Sequence, residues 1–161
     1  MIPLAVIVVA VAAPLWRHVE KGRDEQAAID AVLKVREAQV RFQRRTGGYA
    51  TELSSLTRGC NGAQELPEEV LLELSRAGYG LQLRASEGAA IAAPDCLGHP
   101  LSDDYYVAAA PLVASRPGQQ AFSARSRGDL FLFYDGIAPR ESEIDSGLAT
   151  PLAKRETFKI P

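Results

Sequence analysis

Residues 1–45 read MIPLAVIVVAVAAPLWRHVEKGRDEQAAIDAVLKVREAQVRFQRR, and this stretch decides the fold. The first sixteen carry no charge, and a charged stretch follows them with proline as the main break signal. Together they predict one long helix, apolar first and amphipathic afterwards. Within 24–45, Ala28, Val32, Val35 and Phe42 recur at helical spacing, and Ile29, Leu33 and Val40 widen that stripe. The opposite face carries Asp30, Lys34, Glu37, Arg41 and Arg44. Asp30–Lys34 and Glu37–Arg41 are spaced for i,i+4 ion pairs in the favourable acid-first order. Gly47 and Gly48 stop the helix as a left-handed cap requires, and Arg44 and Arg45 suit the negative end of its dipole. Pro3 costs little near a helix start. Pro14 removes one hydrogen bond, which a membrane-type helix tolerates.

At 161 residues the chain has room for one domain plus an extension. Its net charge of -2 and pI of about 5.7 leave no basic stripe for nucleic acid. The sixteen-residue apolar run spans about 24 Å as a helix, short of the roughly 30 Å of a bilayer core. It also lacks the basic flank of a cleavable signal. The run is therefore read as an anchor without its beginning. Residues 1–23 form an apolar membrane or filament-core helix, and residues 24–161 form a head that includes the amphipathic half. Cys60 and Cys96 lie in turn-rich stretches, TRGCNGAQ and APDCLGHP. Two such cysteines in an exported chain are expected to pair. The loop closed, about 36 residues, is worth about 3–4 kcal/mol by the chain-entropy estimate.

Beyond the helix, residues 51–56 read as a short helical turn capped by Thr51 or Ser54, and 58–64 as loop. A second short helix begins at Pro67, with two acids in its first turn and glycine after its end. Residues 79–86 alternate as a strand. Residues 86–99 read as a Gly/Ala/Pro-rich loop, 104–113 as another strand and 115–119 as a turn. Residues 121–125 and 130–134 form a hairpin around Ser126-Arg127-Gly128-Asp129, and an irregular, loosely held tail follows Gly136. The expected class is α+β: a long N-terminal helix packed on a small antiparallel sheet of three to four strands.

Little in the chain suggests chemistry. His18 sits just past the apolar run. His99 lies near Asp95, Asp103 and Asp104, but on a Pro/Gly-bounded loop without the spacing of a zinc site. The Asp103-Asp104 loop better suits a hard cation such as calcium. G-x-S-x-G, a phosphate-binding glycine loop and H-E-x-x-H are all absent from the sequence. No catalytic residue, resident metal or cofactor is expected. Tyr105, Tyr106, Phe131 and Phe133 should pack within the sheet. Trp16 stands where apolar gives way to charged, a boundary that aromatic anchors favour.

The string VAAPLWRHVEKGRDEQAAIDAVLKVREAQVRFQRRTGGYATELSSL, residues 11–56, resembles the N-terminal helix of type IV pilins and type II secretion pseudopilins. Pro14, Ala28-Ile29, Leu33, Ala38-Gln39, Phe42 and Gly48-Tyr49 match that pattern in order. The head resembles the family more loosely, through Tyr79-Gly80, Tyr105-Tyr106 and a Phe–Ser…Gly–Asp hairpin. The resemblance implies a pilin-like, non-catalytic subunit that builds a filament through an assembly helix containing Pro14, Ala28, Ile29 and Leu33. It implies partners that are copies of itself, other pilin-like subunits and an inner-membrane assembly platform. The helix would sit in the bacterial inner membrane with the head in the periplasm, or outside the cell in a pilus. The family's basic leader, methylated Phe and nearby Glu would all fall before Met1, so no residue of that motif carries over. A membrane-tethered periplasmic binding or enzymatic domain is the rival reading. It expects a linker and a pocket of converging polar groups, whereas Gly22 is the one helix-weakening residue between anchor and head. A third reading, a secreted soluble domain, would be cut near Ala12-Ala13.

Overall fold

The computed structural model describes residues 4–59, 62–113 and 119–152, with side chains from Lys21 onward. Helix α1, Leu4–Thr46, is continuous through Pro14. Its 43 residues make it about 65 Å long. Gly47, at φ +87°, ends it in the left-handed region, and its N–H donates to the Gln43 carbonyl at 2.8 Å. The chain continues as β1 (Tyr49–Ala50), α2 (Leu53–Thr57), α3 (Glu68–Arg76), β2 (Tyr79–Ala85), β3 (Ile91–Pro94) and β4 (Pro100–Ser102). It closes with β5 (Tyr105–Pro111), β6 (Ala121–Arg125), β7 (Phe131–Phe133), α4 (Glu141–Asp145) and β8 (Thr150–Pro151).

The strands form two antiparallel sheets, a five-stranded one in the order β2-β5-β6-β7-β8 and a three-stranded one in the order β1-β4-β3. The larger sheet is covered on both faces. Tyr105, Val107, Ala109, Phe122, Ala124 and Leu132 pack inward with Ala28, Val32, Val35 and Phe42 of α1 and with Val70 and Leu74 of α3. The intervening residues Tyr106 and Ala108 face the other way, against Ile144 and Ala149. The period-two alternation of a strand separates these two sets. The fold is thus α+β, with a long helix laid across an antiparallel sheet.

Several expectations need correction. The principal sheet has five strands rather than three or four, and a second sheet stands beside it. One reason lies in residues 86–99, read as loop. They contain β3, which pairs with β4 from Ile91 opposite Ser102. All four residues of β3 are exposed, so no alternation of polarity announced it. The tail after Gly136 is not irregular either, because it supplies α4 and the edge strand β8. Leu33 and Val40 do not widen the buried stripe. They are 40% and 42% exposed, while Ala31, Ala38 and Gln39 take the inward positions. The expected ion pairs along α1 give way to others. Arg41 and Arg45 both meet Glu65, at 3.1 and 2.8 Å, and Asp30 accepts from Gln26 at 2.8 Å. A largely buried carboxylate shared by two guanidiniums outcompetes a solvated pair on one helix face. Neither Thr51 nor Ser54 caps α2. Its N-cap is Glu52, without a side-chain bond, and the Thr51 hydroxyl donates to the Pro100 carbonyl at 2.7 Å.

Among the described residues no helix is long and apolar enough to cross a membrane. The side chains of the apolar run, with Pro14, Trp16 and His18, lie outside those described, as does most of the turn expected at 115–119.

Candidate functional site

The assembly helix is best judged by what the head leaves of it. From Ala28 onward, Ala28, Ala31, Val32, Val35, Ala38, Gln39 and Phe42 are buried, a stripe that follows the 3.6-residue period. Three of these are alanines, which let the helix axis lie close to the sheet. Gln39, fully buried, binds β1 at both ends of one residue. Its side-chain amide donates to the Ala50 carbonyl at 2.7 Å, and its side-chain carbonyl accepts the Ala50 N–H at 2.9 Å. Gly48 completes the junction. A Cβ there would stand 2.9 Å from the Leu101 Cβ and 3.3 Å from the Ser102 carbonyl, so only glycine lets the chain pass this close to β4. Gly47 supplies the left-handed turn and Gly48 the close approach.

Of the four residues assigned to the assembly helix, Ala28 belongs wholly to the head's own core. Ile29 is half-buried and Leu33 is exposed, both on the flank of α1. Pro14 lies in the part of the helix whose side chains are not described.

Cys96 is disulfide-bonded, and the sequence holds one other cysteine, Cys60, which lies outside the described residues. Around Cys96 the structure gathers a polar cluster from three segments. The Ser55 hydroxyl donates to Asp95 Oδ2 at 2.6 Å and lies 3.0 Å from His99 Nδ1. The other ring nitrogen, His99 Nε2, lies 3.3 Å from Glu52 Oε2. Asp95 Oδ1 accepts the N–H groups of Leu97 and His99, both at 2.9 Å. Burial disfavours the Asp95 carboxylate. The bonds from Ser55, His99 and Leu97 outweigh that and hold its carboxyl below the usual carboxylate range. A serine, a histidine and two carboxylates in contact have the composition of a hydrolytic site. The geometry has another use, because Ser55 is 1% exposed and its proton is committed to Asp95. The cluster pins the 95–99 turn, and with it the disulfide, onto α2. Ser55 and Glu52 went unread because their partners lie about forty residues away and no spacing links them.

Asp103 and Asp104 do not join His99. Asp103 accepts the Ala90 N–H at 2.8 Å, and Asp104 accepts that of Tyr105 at 2.7 Å. Among the described residues no three His, Cys, Asp or Glu side chains are grouped to hold a metal ion.

A second network, also illegible in the sequence, clasps α4 to the outer face of the sheet. Glu141, nearly inaccessible, meets Arg84 and Arg125 and accepts the Glu87 N–H at 3.0 Å. Arg125 also holds Asp145 at 2.8 Å and donates to the Glu141 carbonyl at 2.8 Å. Arg84 lies 4.5 Å over the Tyr106 ring, whose hydroxyl donates to the Pro139 carbonyl at 2.6 Å. No family model, no curated protein and no solved structure matches this chain.

Proposed function

We propose that the chain is a non-catalytic structural subunit of a type IV pilus or type II secretion pseudopilus, assembling through its N-terminal helix into a helical filament. One observation carries the reading: α1 is unbroken from Leu4 to Thr46, while among its described side chains, from Lys21 onward, the buried stripe begins at Ala28. The 24 helical residues before Ala28, residues 4–27, extend about 36 Å. Their first part is the uncharged run. A rigid, apolar rod joined to a folded head suits a subunit that first rests in a membrane and then packs its rod among copies of itself. In lipid, side-chain packing and polar pairing drive helix association, because the tails are as apolar as the helix. Head-to-tail contacts that do not close generate an open helical filament rather than a ring. The pilin-like pattern of Pro14, Ala28-Ile29, Leu33, Ala38-Gln39 and Gly48-Tyr49 supports the same reading. So does the order of helix followed by antiparallel sheet. The rival, a tethered periplasmic binding or enzymatic domain, wants a joint between anchor and head, and α1 supplies none.

The test uses the full chain in cells that naturally make it, with a photo-crosslinking residue at Val8. A filament subunit gives a ladder of self-adducts on irradiation. Adducts to lipid alone, without dimers or higher steps, overturn the proposal.

A further inference from the structure

The face of α1 opposite its buried stripe is itself periodic. Gly22, Gln26, Ile29, Leu33, Arg36 and Val40 follow one another in steps of four and three, the spacing of a seam between helices. Gly22 and Gln26 are exposed, Leu33 and Val40 are 40% and 42% exposed, and Ile29 is half-buried. Arg36 turns to the head and donates to the Gly128 carbonyl at 3.2 Å. Beside the seam, Arg23, Asp30, Glu37 and Arg44 recur at heptad spacing, and all four are exposed. Among the described residues none of the four forms an ion pair.

The signs of these four run plus, minus, minus, plus, and that order discriminates between ways of pairing two such helices. In register, every charge meets its like. Antiparallel about the centre, Arg23 meets Arg44 and Asp30 meets Glu37. Parallel with a shift of one heptad, two attractions come with one repulsion, Asp30 against Glu37. A parallel shift of two heptads, about 21 Å, sets Arg44 of one copy at Asp30 of the next and Glu37 at Arg23, with no like pair. The neighbouring charges agree with that match. Glu69 lies beside Glu37 and Glu73 beside Asp30, where they offset Lys34, and Arg41 is already bound to Glu65.

We infer, on the filament reading above, that this face of α1 packs along the same face of a second copy, parallel and displaced by two heptads. Ile29, Leu33 and Val40 supply apolar surface, and the flanking charges set the register as they do beside a coiled-coil seam. A straight α-helix drifts by about 20° per heptad against this repeat, so the two helices cross slightly along the contact. The displacement leaves Arg23 and Asp30 unmatched on one copy and Glu37 and Arg44 unmatched on the other. A third copy can therefore join, and the contact does not close.

The experiment places a photo-crosslinking residue at Val40 of the full chain in cells that naturally make it, and maps the dimeric adducts by tryptic digestion and mass spectrometry. The expected product joins residue 40 to the peptide 24–34 of a second copy. Arg44→Glu should lower the dimer yield about fivefold, because one surface attraction becomes a repulsion. Adding Asp30→Arg to that variant should restore it, and the swap of Glu37→Arg with Arg23→Glu should behave alike. Adducts to the peptide 37–41, which mark an in-register contact, overturn the proposal. So does the absence of dimers, or a yield that neither swap restores. A ladder from Val8 without the expected adduct refutes this register alone, whereas loss of both refutes the filament reading as well.

Discussion

Gln39 holds two backbone groups of Ala50 that no water reaches, and this makes it the most exacting side chain of the junction. Gln39→Ala would leave both peptide groups buried without partners. The expected loss is about 2–4 kcal/mol in urea unfolding at neutral pH, since each orphaned group costs about 1–3 kcal/mol. Asp95 offers a sharper test because its contribution depends on pH. Its carboxyl ionises at lower pH in the folded chain than in the unfolded chain, where the value is about 3.9. The stabilisation is therefore full above about pH 5 and disappears as pH falls through the folded value. Unfolding midpoints measured from pH 7 to pH 2 should fall more steeply for the wild type than for Asp95→Asn. Parallel curves would show that Asp95 carries no such linkage.

At the scale of the element, α1 is one helix with two unlike faces, and substitutions should reveal where the boundary runs. Val35 is wholly buried in the stripe, whereas Val40 is half out of it. Val35→Asp places an unpaired charge in the core and should cost about 4 kcal/mol or more. Val40→Asp should stay within about 1 kcal/mol. Thermal unfolding of the two variants checks the contrast, and similar losses would contradict the described rotation of α1. The sequence made the helix legible because apolar spacing and a Gly47-Gly48 stop are local signals. It misplaced Leu33 and Val40 because an apolar side chain looks alike at the centre and at the rim of a stripe. The neighbouring sheet chose a narrower sector, in which alanine and Gln39 fit and leucine does not.

Across the whole molecule, long-range ties hold segments whose local signals are weak. Glu141 clasps α4 through Arg84 and Arg125. Glu141→Ala would remove the partner of two guanidiniums and should cost about 3 kcal/mol. Hydrogen exchange should then quicken at Ser146 and Leu148, whose amides close the end of α4 on Ser142 and Glu143. The disulfide acts over the same distance scale. Cys96→Ser frees a loop of about 36 residues and should destabilise the head by about 3 kcal/mol, read as a lower urea midpoint. An unchanged midpoint would place the head's stability elsewhere.

The sequence by itself determined the elements whose signals are local. These are the long helix with its glycine stop, the second helix from Pro67, the alternating strand at residues 79–85 and the hairpin of β6 and β7. It also supplied the pilin-like pattern on which the functional proposal rests. Only the tertiary structure decided the number of strands, because β3 and β8 exist through their partners and carry little alternation of their own. It alone brought Ser55 and Glu52 to His99, and Glu141 to Arg84 and Arg125. Side chains separated by tens of residues meet only after the chain has turned, and no periodicity records that meeting.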